Sequence, residues 1–300
     1  MRSRTKALLK RNLAYYAFLL LPILIYMVIF LYPNVVALFW SVYKWDGLAP
    51  NMEYVGLANY VKLFSGKSIF YQALKNTILY ALLLTAGSNF LGLIFALLIH
   101  RKSKINNVFR TVFYLPGVLA TVAIGSMWTL GIYNPTFGTL NTVLRTVGLE
   151  SLTTAWLANP HTALVSVAGV HVWQNLGFSM ILYIAGLQEI PDDLYESAAI
   201  EGASTLQTIW YITLPLLKRV ATVVVIIVTI FGMRAFDLIF IMTESGSAFG
   251  TTEVLTTFLF RQGFTFRKLG FANSIAVILL IVVVGISSLQ RWLFREKRAF

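Results

Sequence analysis

The sequence predicts an all-α fold, a polytopic membrane helical bundle of six transmembrane helices with one further short helix in the loop between the fourth and fifth. Three observations predict it. Hydrophobic residues make up 58% of the 300-residue chain and charged residues only 12%. A water-soluble domain carries about 25% charge, so lipid must cover part of this surface. Long uncharged runs, such as 12–43 and 76–99, exceed the roughly 20 apolar residues that cross a bilayer as helix. Lys and Arg gather at alternate ends of these runs, as the positive-inside rule requires of a multi-pass chain.

The elements follow in order. Residues 1–12 carry Arg2, Arg4, Lys6, Lys10 and Arg11 and no acid. The apolar run after them is longer than a signal-peptide core and shows no small-residue cleavage site, so it reads as span one, 13–33, with Pro33 near its outer end. Residues 44–75 are polar and contain Asp46-Gly47, Ala49-Pro50, Lys62 and Lys67, an external loop. Span two is 76–99, closed by the basic turn His100, Arg101, Lys102, Lys104. Span three, 110–132, contains Pro116 and Gly117, which kink it. In the external stretch 133–161, Asn134-Pro135 is a turn and 139–147 a short surface helix. Span four is 162–187, span five 219–242 and span six 270–290, with an external loop at 243–269. Arg291, Arg295, Lys297 and Arg298 end the chain in a basic tail, 291–300.

Lys and Arg number 15 in the segments assigned to the inside and 8 in the three outer loops. Both termini and the 188–218 loop are therefore expected in the cytoplasm. The net charge of +12 is accounted for by that inner face, and no basic stripe interleaved with exposed aromatics suggests nucleic acid. The absence of cysteine removes disulfides, thiolate zinc sites and thiol catalysis. No phosphate-binding loop of the G-x-x-x-x-G-K-[ST] type occurs, so this chain is not expected to bind ATP in that way. No metal cluster or catalytic set stands out. The expectation is a non-enzyme without a cofactor of its own, set in a membrane.

The most informative stretch is 190–219. Asp192, Asp193 and Glu196 crowd its start, and Asp193 with Glu196 has the spacing of a capping box. Small residues Ser197, Ala198 and Ala199 follow, and Gly202 is placed to end the helix. Ser204 and Gln207 form a second capping box. Residues 206–217 are apolar but too short to span, and Pro215 precedes Lys218, Arg219 and the next run. The segment reads as helix, Gly turn, helix, joined to span five: a lever that something outside the membrane can push.

At these residues the chain resembles the membrane subunits of bacterial ABC importers. Their loop pattern is Glu-Ala-Ala, three residues, Gly, nine residues, Ile, one residue, Leu-Pro. Here it is Glu196, Ser197, Ala198, Gly202, Ile212, Leu214 and Pro215, with Ser197 replacing the first Ala. The resemblance runs over nearly the whole chain and is closest to the carbohydrate branch, the maltose and glycerol-phosphate type. Tyr54-Val55-Gly56-Leu57, Asn59-Tyr60, Asn76-Thr77, the run from Phe109 to Pro116, Asn134-Pro135, Phe137-Gly138, Leu140-Asn141 and Phe236-Asp237-Leu238-Ile239 carry it. Where the family continues with Gly-Gly-Pro, this chain has Ser245-Gly246-Ser247. The resemblance implies a permease domain over 75–290, preceded by 1–74, with its coupling helix in the 188–218 loop docking into an ATP-binding subunit. It further implies a second permease subunit, a dimer of ATP-binding subunits that bind the ATP, an extracytoplasmic solute-binding protein, and a sugar or related solute. An ABC permease for a non-sugar solute, an ion-gradient carrier and a membrane enzyme acting on lipid-linked sugars are the competing readings. The second needs ionisable groups at mid-membrane, where only His171 qualifies.

Within span four, His171, Gln174 and Asn175 fall on one helical face, with Trp173 and Phe178 nearby in sequence. They read either as a solute path or as interhelical hydrogen-bond contacts. Arg234 and Asp237, three apart in span five, read as a local ion pair near the outer interface or as an outer gate. Thr85, Ser88 and Asn89 are further cavity candidates, and Gly87 and Gly92 are packing contacts.

Overall fold

The computed structural model describes residues 18–48, 50–65, 69–101, 103–243 and 250–295. Arg2, Arg4, Lys6, Lys10, Arg11, Ala49, Lys67, Lys102, Ser245-Gly246-Ser247, Lys297 and Arg298 lie outside them. Helix α1, Phe18–Trp40, runs well past the predicted end at residue 33. A π-turn at Met27–Leu31 precedes Pro33. The wider turn accommodates a ring that cannot donate to the preceding turn, so the helix continues through the proline.

The predicted outer loop is more ordered than its composition suggests. Strands β1, Tyr43–Lys44, and β2, Glu53–Tyr54, pair antiparallel, and α2, Ala58–Phe64, follows. Asn59 donates to the carbonyls of Ser41 (2.8 Å) and Tyr43 (3.0 Å), tying α2 back to the end of α1.

The core of the bundle is α3, Phe70–Ile99, against α7, Ala163–Gln188, and α9, Thr205–Met233. Small residues set the approach of α3 and α7. A Cβ on Gly87 would sit 2.7 Å from Val172, and one on Gly92 2.7 Å from Ser179, so the predicted packing role of these two glycines is what the geometry requires. Leu84, Ala96, Met180, Tyr183, Leu187, Leu217, Val224 and Val228 fill the space between the three helices at one end.

Two helices that the sequence presents as continuous are broken. The third span divides into α4, Lys104–Val118, and α5, Thr121–Ile132, bent 95° apart. Pro116 removes a hydrogen bond in the last turn of α4; the helix stops two residues later, and Leu119 and Ala120 are extended. The predicted kink is thus a full break. Likewise the fifth span, predicted to reach residue 242, ends at Met233. Arg234 to Phe236 leave helical geometry, and α10, Asp237–Met242, follows. Counting α4 with α5 as one bent span, the described residues contain up to six membrane crossings, α1, α3, α4–α5, α7, α9 and α12, Leu269–Leu293.

Beyond α10, helix α11, Leu255–Phe260, lies inside the bundle rather than in an open loop. Asn76, buried on α3, donates to the carbonyls of Thr251 (2.7 Å) and Glu253 (2.8 Å), and Thr77 accepts from the Leu255 N–H (2.9 Å). Glu253 is fully buried and pairs with Arg261. Polar side chains here satisfy a backbone segment that lipid could not.

Candidate functional site: an exposed helical knob and a cavity at two helix breaks

The loop motif forms a knob at one end of α9. Helix α8 spans Asp192–Ile200. Asp193 is not its cap: Pro191 occupies that position with no side-chain cap bond, and Asp192 and Asp193 fill the first turn. Proline's fixed φ starts the helix without needing the box, and the two acids still face the positive end of the helix dipole. Gly202 ends it as predicted. Its φ is +79°, and the Ala203 N–H reaches back to the Ala198 carbonyl (2.9 Å). Nothing lies within 4 Å of where a Cβ at 202 would stand, so the glycine is required by backbone conformation and not by space. Ser204 and Gln207 form the predicted capping box.

Residues 206–217 are not a separate surface helix. They continue into α9 through a π-turn at Ile209–Thr213, placed just ahead of Pro215. The knob is fixed to α9 by the hydroxyls of Tyr195 and Thr213 (3.3 Å), and its Ala198 is buried. Ile212 and Leu214 are half-buried, while Glu196, Ser197 and Pro215 are exposed. On its free face the knob presents Ile200, 87% exposed, with Leu206 and Tyr211 also open. Uncovered apolar side chains in such a patch mark a contact surface.

At the opposite end of α9 is a cavity of about 440 Å³. It lies where the α4–α5 break and the α9–α10 break face unbroken α7. Tyr114, Gly117 and Thr121 come from the first break, and Phe231, Arg234, Phe236 and Asp237 from the second. Helix α7 contributes His171, Gln174, Asn175 and Phe178. Unwound backbone within a membrane is tolerated where it lines such a cavity. Gly177 brings the walls together: a Cβ there would lie 2.4 Å from the Tyr114 Cα.

The three polar residues predicted on one face of α7 do meet in the cavity. Gln174 Nε2 donates to Thr121 Oγ1 (3.4 Å), His171 Nδ1 lies 3.0 Å from the Tyr80 hydroxyl, and Asn175, 9% exposed, keeps an unpartnered Nδ2. Trp173 points away and packs edge-on against Trp128, centroids 5.6 Å apart. The nearby aromatic on the cavity side is Phe178, 5.6 Å from Phe231. Arg234 and Asp237 both line the cavity, yet no ion pair joins them, because the helix ends between them and three-residue spacing no longer stacks side chains. Asn89 is instead committed to the Tyr183 hydroxyl (2.7 Å), and Thr85, bonded to Thr229 (3.1 Å), lines a different cavity of about 270 Å³ with Met233 and Gln290. Tyr80, Tyr114, Thr121 and Phe231 were not singled out as site residues from sequence. They look like ordinary span residues, and only the helix breaks bring three of them to the cavity. Among the described residues no three His, Cys, Asp or Glu side chains group as a metal site.

A bundle with a polar cavity at broken helices and an exposed knob at the other end of one of them defines a membrane transport subunit. Residues 88–299 match the family described as binding-protein-dependent transport system inner membrane component. The chain belongs to this family and is the transmembrane subunit of an ATP-driven ABC importer in the cell membrane. It is 37% identical to the probable ABC transporter permease protein YurN of Bacillus subtilis over 92% of this chain and 94% of that one. It is 33% identical to the multiple sugar-binding transport system permease protein MsmF of Streptococcus mutans, covering 92% and 93%. With the trehalose/maltose permease protein MalF of Thermococcus litoralis the identity is 31% over 89% of each. In fold it is similar to a chain of a bacterial ABC transporter that imports the acidic polysaccharide alginate, with TM-score 0.81, 25% identity and coverage of 96% and 97%.

Proposed function

We propose that this subunit passes a sugar or related solute through the α4–α7–α9 cavity, and that the α8 knob takes its motion from a pair of ATP-binding subunits. The single observation that carries this is the helix Thr205–Met233, which has the knob at one end and the cavity rim at the other. At 1.5 Å per residue it is a rod of about 43 Å. A sugar suits the cavity chemistry. His171, Asn175 and Thr121 offer hydrogen-bonding groups, and Tyr114, Phe178 and Phe231 offer flat apolar faces. The names of the relatives, a multiple sugar-binding system and a trehalose/maltose system, agree with it.

A second permease subunit completes the pathway on this reading. None of the apolar window of α1 is buried within the chain, which leaves that helix for lipid and a partner. An extracytoplasmic binding protein delivers the solute to the end opposite the knob; a structural relative of the alginate system is in complex with a sugar-loaded periplasmic protein. The excess of Lys and Arg supports a cytoplasmic position for both termini and the knob.

The test uses the fact that the chain has no cysteine. Single cysteines replacing Glu196 and Leu48 are labelled in intact cells with a membrane-impermeant maleimide. The reading expects label at 48 and none at 196 until the membrane is opened. Label at 196 in sealed cells overturns it. In the same cells His171→Gln and Asn175→Ala should each lower uptake of the carried sugar roughly tenfold, the usual loss when a buried site is left without its hydrogen bonds.

A further inference from the structure

Tyr80 is fully buried on α3, yet its hydroxyl meets a side chain that faces the cavity. Among the described residues the hydroxyl has one partner, His171 Nδ1, at 3.0 Å. Two arrangements are open to the pair. If Nδ1 carried the proton, the imidazole would donate to the phenol, and the phenol's own hydrogen would lie in the core with nothing to receive it. A buried donor without an acceptor is costly. If the phenol donates, Nδ1 accepts and both atoms are satisfied. The neutral ring must then carry its proton on Nε2. Among the described residues Nε2 has no hydrogen-bond partner, and His171 lines the cavity.

We infer that Tyr80 is a positioning residue of the solute cavity: its buried hydroxyl holds His171 as the Nε2–H tautomer, which makes the imidazole a fixed donor to the solute. This rests on the cavity reading above and deepens it. Beside the imidazole, Asn175 Nδ2 is a second buried donor without a partner. Together they make this wall of the cavity complementary to acceptor oxygens, namely the ring, glycosidic or hydroxyl lone pairs of a saccharide. A solute group that could only donate would leave both N–H groups unpaired and be rejected by it. The carboxylate of Asp237, the anion in the lining, is then the place for hydroxyl hydrogens. The tautomer of a histidine is set by the hydrogen bond at its other nitrogen, and here that bond comes from a different helix, α3, than the ring itself, α7. Selectivity is therefore coupled to the packing of these two helices.

The test is nitrogen NMR of the assembled transporter labelled with ¹⁵N-histidine. This chain has three histidines, and the difference spectrum against His171→Gln isolates the signals of interest. The expected result is an unprotonated Nδ1 and a protonated Nε2. A protonated Nδ1 overturns the proposal. Tyr80→Phe keeps the ring and removes only the donor. It should convert the His171 signals to a mixture of tautomers and lower solute-stimulated ATP hydrolysis roughly fivefold, the worth of about one hydrogen bond. In the His171→Gln background the same change should cost nothing further, since the ring whose tautomer Tyr80 sets is gone. Equal losses in both backgrounds would make Tyr80 a packing residue and sink the inference. If instead His171→Gln and Asn175→Ala both transport normally while the tautomer is as expected, the cavity assignment fails and the Tyr80 geometry stands.

Discussion

Two glycines in this chain do opposite jobs, and a side chain at each should fail differently. Gly177 is needed for space, since a Cβ there would run into the backbone of Tyr114. Gly177→Leu must force α4 off α7 and is expected to destabilise the subunit by about 3 kcal/mol or more, since the obstruction is backbone. It should be seen as loss of folded protein in detergent. Gly202 is needed for its left-handed backbone, with open surroundings. Gly202→Arg costs about 1–2 kcal/mol of local strain, leaves insertion and folding intact, and reaches only into whatever docks on the knob. Uptake should fall sharply while ATP hydrolysis by the assembled transporter loses its response to solute. Normal uptake by Gly202→Arg would count against docking at this turn.

At the level of elements, the segment before α11 carries a titrating group. Burial pushes the Glu253 carboxyl from its ordinary 4.5 up to about 7, against the lowering effect of the Arg261 guanidinium and the hydrogen bonds from Thr257 and Arg261. The folded state therefore binds more protons than the unfolded one between these two values. The contribution of this group is most favourable below 4.5 and is lost as pH rises through about 7. Hydrogen exchange of the Leu255–Phe260 helix should be slower at about pH 5 than at about pH 8.5, after correction for intrinsic rates. Glu253→Gln should remove most of that difference, and a pH dependence unchanged in this variant would refute the assignment. The same scale shows where sequence reading works. The apolar runs, the Gly202 turn and the Ser204–Gln207 cap were legible because length, composition and capping act locally. The α9–α10 break was not, for Arg234 to Phe236 contain neither Pro nor Gly. Nor was the inward placement of α11, which depends on Asn76 and Thr77 across the bundle. The polar face of α7 was legible from helical spacing, but Trp173 was misplaced because its Trp128 contact comes from α5. Tyr80 gave no signal, being one more aromatic in a span.

For the whole molecule, the central claim is mechanical: α9 carries motion from the knob at Ile200 to the cavity at Phe231 without bending. Two features support a stiff coupling. Leu217, Val224 and Val228 bury one side of the helix against α3 and α7, and the π-turn at Ile209–Thr213 is stitched by Thr213 to the Thr208 carbonyl and by Tyr195 to the knob. The α4 wall, by contrast, hangs on a break at Leu119 and Ala120 and can yield. The cysteine-free sequence permits spin labels at chosen pairs. Pulsed electron paramagnetic resonance on the assembled transporter, with and without trapped ATP, should find the 200–231 distance constant and the 114–231 distance changed. A 200–231 distance that shifts while 114–231 stays fixed would contradict the account.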